Sequence, residues 1–74
     1  MAEQPEDLKR LVAVATDLGH SAELRTKAVA LIGNISTHDG LRALLDLAAN
    51  EQLTRKEREL ALKYAGKVLR SGPQ

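Results

Sequence analysis

Few side chains in this sequence are equipped for chemistry. Two histidines, His20 and His38, stand near Asp17 and Asp39. A protein metal site needs three or four converging ligands. The two histidines fall in predicted turns and do not align with each other in the repeat described below, so they are read as solvated turn residues and no metal is expected. Ser21, Ser36, Thr37 and Thr54 carry hydroxyls just before apolar-periodic segments. A hydroxyl in that place accepts a backbone N–H as a helix N-cap, which accounts for all four. No histidine is placed by a motif to act as base toward them. The five glycines are dispersed, so no loop cradles a phosphate. Every Asp and Glu falls at a helix start or on a polar face, which leaves no buried carboxylate for acid–base work. The chain has no cysteine, so thiolate chemistry and disulfides are excluded. The expectation is a non-enzymatic protein without a cofactor.

The cations are more informative. Arg25 and Arg58 are read as structural, a ladder that bonds carboxylates or turn carbonyls of a neighbouring hairpin. The alternative is that they line a concave ligand surface. Charge is unevenly spread. Residues 1–23 hold five acids against two bases, a net of −3, while residues 54–70 hold six bases against two acids, a net of +4. Lys56, Lys63, Lys67 and Arg70 are spaced by 7, 4 and 3, which puts them in one stripe on a helix. Such a stripe suits phosphates or an acidic protein partner. A solvated face near the helix C-terminus is the plainer reading. With Lys27 and Asn34 on the second helix, the stripe on the fourth gives a candidate partner-binding surface. The whole-chain charge of +1 and the single aromatic, Tyr64, favour a protein partner over nucleic acid.

The elements that position these residues repeat. Leu24 to Ile35 has a second copy from Glu57 to Val68, at a fixed offset of 33. Arg25 falls on Arg58, Ala28 on Ala61, Gly33 on Gly66, and Ile35 on Val68. The offset continues upstream without a gap: Leu8 falls on Leu41, Leu11 on Leu44, Val14 on Leu47, and Ser21 on Thr54. A fixed period of this size marks a supersecondary unit used twice. Each unit holds two apolar-periodic segments, so each is a helical hairpin. The first helix is predicted over about 5–18, with Pro5 in its first turn and Gly19 as a positive-φ stop. Ser21 caps the second, whose buried stripe is Leu24, Ala28, Leu31, Ile32 and Ile35, widened by Val29. Ser36 or Thr37 caps the third, with Leu41, Leu44, Leu45 and Ala48 inward and Leu47 on the flank. Thr54 with Glu57 is a capping box that opens the fourth. Leu60, Ala61, Tyr64, Ala65 and Val68 face inward there, Leu62 and Leu69 lie off the stripe, and Gly72-Pro73 stops the helix. Gly33 and Gly66 are expected where a neighbouring helix comes close.

The segment Leu24-Arg25-Thr26-Lys27-Ala28-Val29-Ala30-Leu31-Ile32-Gly33 resembles the second helix of HEAT repeats, or of the broader HEAT/armadillo-like group. In those repeats that helix commonly reads Val-Arg-x-x-Ala-Ala-x-Ala-Leu-Gly. The second copy departs from it: Glu57 replaces the apolar residue before Arg58, and Tyr64-Ala65 replaces Ala-Leu. The first helices also lack the proline often seen there. The resemblance covers about residues 6–69. It implies an α-solenoid fragment with a scaffolding or partner-binding role, and no substrate.

Seventy-four residues make one domain. It is expected to be all-α: a polar tail over 1–4, a helical domain over 5–70 with repeats at 5–36 and 37–70, and a tail over 71–74. A chain this short buries only roughly 60% of its unfolded surface. The core must be aliphatic, because Phe and Trp are absent. About three repeats are usually needed to bury a continuous solenoid core. Either the two hairpins close on each other as a four-helix bundle, or an open face is covered by a partner or by a second copy in a homodimer. No apolar run reaches the roughly 20 residues that span a bilayer, and no membrane is expected. A cytoplasmic location follows from that and from the lack of cysteine and of a leader-like N-terminus. The starting Met and the Gly-Pro tail give the expectation of a complete small protein.

Overall fold

A computed structural model of the chain describes residues 5–35 and 37–72. Four helices follow one another: α1 (Pro5–Thr16), α2 (Ala22–Gly33), α3 (His38–Ala48) and α4 (Arg55–Ser71). The described residues are otherwise turns and short connections.

Local chemistry sets each boundary. Thr16 Oγ1 donates to the Val12 carbonyl at 2.8 Å in the last turn of α1, which ends two residues earlier than the pattern predicts. The turn is then built by Asp17, whose Oδ1 accepts the Gly19 N–H at 2.8 Å. An Asx turn of this kind closes the chain without a left-handed residue. Gly19 is therefore not the positive-φ stop expected of it; among the described residues only Gly72 has positive φ, at 82°. Ser21 caps α2 by accepting the Leu24 N–H at 3.1 Å. Thr37 caps α3 by accepting the Gly40 N–H at 3.0 Å; the alternative, Ser36, lies outside the described residues. Thr54 and Glu57 form both bonds of the capping box. The Glu57 N–H donates to Thr54 Oγ1 at 3.2 Å and the Thr54 N–H to Glu57 Oε1 at 2.9 Å.

The helices pack as two hairpins, α1 with α2 and α3 with α4. The hairpins lie side by side, with α2 against α4 and α3, and α1 against α3. Among the described residues α1 and α4 do not touch. The result is a two-layer slab with principal extents of 31 × 23 × 16 Å. Its core is aliphatic and largely of small side chains. Ala28, Val29 and Ile32 of α2 meet Ala61, Ala65 and Val68 of α4, with Leu44, Leu47 and Leu53 completing it.

Two predicted stripes are rotated. On α2, Val29 is buried as expected, but Leu24 and Leu31 are exposed, and Arg25 and Gly33 are buried in their stead. On α3, Leu47 is buried and Leu45 is exposed. Apolar residues on these helices outnumber the positions a neighbour covers. Which of them is buried is then decided by where the next helix lies, and periodicity alone does not report that.

Candidate functional site

The most elaborate polar arrangement lies at the junction of the two hairpins. Arg25 of α2 reaches across to Glu57 of α4. Its Nε donates to Glu57 Oε2 at 3.0 Å and its second terminal nitrogen lies 2.9 Å from the same oxygen. Its remaining terminal nitrogen donates to the His20 carbonyl at 2.9 Å. Arg25 is 8% exposed and Glu57 2%. Burial alone would push the Glu57 carboxyl up. The Thr54 N–H, then the hydrogen bond and charge of Arg25, then the Thr54 hydroxyl outweigh it and hold the pKa below its ordinary 4.5. Glu57 thus keeps its charge, closes its own helix cap and ties the hairpins together. Glu57 lies at a helix start, one of the two places expected of every acid, but its burial corrects the expectation that no carboxylate is buried. The signal was present, since Glu57 occupies the apolar position held by Leu24 in the first copy.

Translation by one repeat turns this junction into a probe of the outer face of α4. Arg25, Val29 and Gly33 share one face of α2, and α4 covers it. Glu57 meets Arg25. A Cβ added to Gly33 would stand 2.6 Å from Tyr64 Cγ and 3.0 Å from Tyr64 Cβ. Val29 is 1% exposed. The equivalent residues of α4 are Arg58, Leu62 and Gly66, of which Arg58 and Gly66 are half-buried and Leu62 is exposed. Leu62 is 58% exposed, and Leu69, two turns further on the same side, is 57% exposed. A Cβ at Gly66 would meet only the far end of the Arg70 side chain, at 3.4 Å. The close approach expected at both glycines therefore occurs at Gly33 and not at Gly66. Arg58 borders a hollow of about 320 Å³ with Ala48, Arg55, Glu59 and Leu62. Its Nε–H is buried and has no hydrogen-bond acceptor among the described residues.

The basic stripe is a separate surface. Lys56, Lys63, Lys67 and Arg70 are all exposed, as are Lys27 on α2 and Asn34 at its C-cap. Asn34 and Lys67 are equivalent in the repeat. Lys67 Nζ lies 5.9 Å from the centre of the Tyr64 ring. Lys56, Lys63 and Arg70 make no ion pair with a described carboxylate.

The remaining polar groups do local work. His20 Nε2 lies 3.4 Å from Asp17 Oδ2 with both side chains exposed. Among the described residues no three His, Asp or Glu gather as metal ligands would. The hydroxyls of Ser21, Thr37 and Thr54 are engaged as caps. Between α1 and α3 runs a groove of about 350 Å³, with Leu8, Val12 and Ala43 beside Lys9, Asp39, Arg42 and Asp46. Among the described residues no helix is long and apolar enough to cross a membrane.

Comparison of the chain with protein-family models, curated proteins and solved structures gives no significant match.

Proposed function

We propose that the chain is a non-enzymatic protein-interaction module, a pair of HEAT-like repeats that acts as a scaffold in the cytoplasm. The observation that carries this is the bare outer face of α4. Leu62 is 58% exposed where the equivalent Val29 is 1% exposed. Leu62 and Leu69 stand on the same side of α4, and contiguous exposed apolar surface rimmed by polar residues marks interaction sites. Supporting the non-enzymatic part, the hydroxyls of Ser21, Thr37 and Thr54 are committed to caps and the buried carboxylate is held in an ion pair with Arg25. The lack of cysteine suits a reducing compartment.

Two surfaces are available to a partner: the outer face of α4, and the exposed side of α2 and α4 with Lys27, Asn34, Lys56, Lys63, Lys67 and Arg70. Capture of a partner by wild-type chain, by Leu62→Glu and by a Lys56→Glu/Lys63→Glu/Lys67→Glu variant separates them. One of the variants is expected to lose the partner while its thermal melt stays unchanged. Retention by both variants contradicts the proposal.

A second reading rests on the row of bases along α4 that pair with no described carboxylate, which suits a phosphate backbone. Binding of a DNA or RNA duplex by that row falls steeply with salt, with a log–log slope of about −0.9 per phosphate neutralised. Binding that ignores salt, or no binding at all, removes this reading.

A further inference from the structure

At the inner junction the covering helix contributes two side chains to the face of α2. Glu57, in the first turn of α4, pairs with Arg25, and Tyr64, seven residues on, lies over Gly33. The outer face of α4 carries the same arginine and the same glycine in the same register, with Leu62 between them in place of Val29. Arg58 there holds a buried Nε–H that no described acceptor meets. Leaving a buried donor unpaired costs free energy, more so on a charged group, and an anionic acceptor is its natural complement.

The opposite face of the repeat pair does not supply one. A second copy stacked head to tail in the register of the repeat would present Leu24 where Glu57 stands, and Leu31 where Tyr64 stands. Leu31, which is exposed, can cover Gly66. Leu24 cannot accept a hydrogen bond, so that stacking would bury the Arg58 charge unpaired, at heavy cost.

We propose that the outer face of α4 docks an α-helix of another polypeptide, with a carboxylate in its first turn for Arg58 and a flat or apolar side chain seven residues later for Gly66, and that Leu24 keeps a second copy of this chain out. The inference rests on the reading of that face as an interaction surface and adds what the surface selects.

The test uses the full chain, with a second copy as probe. Leu24→Glu places a carboxylate three residues after Ser21, the capping-box spacing that Thr54 and Glu57 already use, and it does so at an exposed position, so the variant folds. Sedimentation over a concentration series then reads the mass of the species. Wild type is expected at 8.0 kDa throughout. Leu24→Glu is expected to assemble head to tail, its mean mass rising beyond twofold as concentration increases. Adding Arg58→Met, or Leu62→Glu, is expected to return it to single chains. Wild type that assembles as readily as Leu24→Glu overturns the exclusion by Leu24. Folded Leu24→Glu that remains single at all concentrations overturns the docking proposal. If Arg58→Met leaves the assembly intact while Leu62→Glu abolishes it, selection of a carboxylate is overturned and the face still stands as an interaction surface.

Discussion

Arg25, Val29 and Gly33 line one face of α2, and Arg58, Leu62 and Gly66 line the same face of α4, one repeat later. The first set is buried, paired and covered. In the second set Leu62 is bare, the Arg58 Nε–H is unmet among the described residues, and Gly66 has room above it. The residues are nearly the same and their surroundings are not. The difference isolates what the neighbouring helix contributes: a carboxylate, a ring and the exclusion of water. It also shows that an arginine at this position has no fixed role. With Glu57 opposite it is a tie between hairpins. Without such a partner it is, on the proposed reading, a binding group.

The largest effect expected from breaking the inner set is at Glu57. Glu57→Ala leaves Arg25 buried without its carboxylate and removes half of a capping box, a loss of about 3–5 kcal/mol. A domain of this length has roughly 4–11 kcal/mol in all, so the variant approaches unfolding. Arg58→Ala, at the equivalent of Arg25, should stay within about 0.5 kcal/mol of wild type. Urea titration followed by helical circular dichroism compares the two directly. Replacing both partners, as in Arg25→Met with Glu57→Leu, should recover most of the loss, because an apolar pair has no charge to strand.

The glycines should diverge in sign. Gly33→Ala drives a Cβ into the Tyr64 ring and should cost about 1–3 kcal/mol. Gly66→Ala meets only the far end of the Arg70 side chain at ordinary contact distance and should gain up to about 1 kcal/mol from helix propensity. Thermal melting reads both, at about 4–8 °C per kcal/mol for a domain of this size. A matching loss at both positions would mean that α4 is covered as α2 is.

A smaller effect separates the two sets by pH. The Glu57 carboxyl has a lower pKa folded than unfolded, so the pair contributes stability that is full above the unfolded value, near 4.5, and is lost as pH falls through the folded value. Wild-type stability should therefore decline with acid below about pH 4.5 in a way that Glu57→Gln does not share. Arg58→Ala should leave that decline unchanged. A Glu57→Gln profile parallel to wild type in this range would contradict the assignment.

Features carried by neighbours along the chain are legible in the amino-acid sequence alone. The hydroxyls of Ser21 and Thr54 and the carboxylate of Glu57 sit a few residues from the N–H groups they bond, so spacing finds the caps. The offset that aligns Arg25 with Arg58 likewise needs only the chain. Rotation about a helix axis is not legible in the same way. Leu24 and Leu31 match a helical period as well as Arg25 and Val29 do, and only the position of α4 decides between them. The exchange of Leu45 for Leu47 on α3 has the same cause. The candidate surface is half legible. The basic stripe is a matter of spacing on one helix, and the mismatch of Leu24 with Glu57 marks a place where the two copies of the arginine helix exchange an apolar residue for a charged one. The bareness of Leu62 depends on what packs beyond α4, and no local pattern records it.

The contrast between Val29 and Leu62 can be measured without disturbing either helix. The chain has no cysteine, so Val29→Cys and Leu62→Cys each carry a single thiol that a disulfide reagent can label. The account predicts that the thiol at 62 reacts at the rate of a free thiol. The thiol at 29 should react only through opening of the hairpin junction, slower by a factor of about 1,000 or more for a stability above about 4 kcal/mol. Equal rates at the two positions would contradict it.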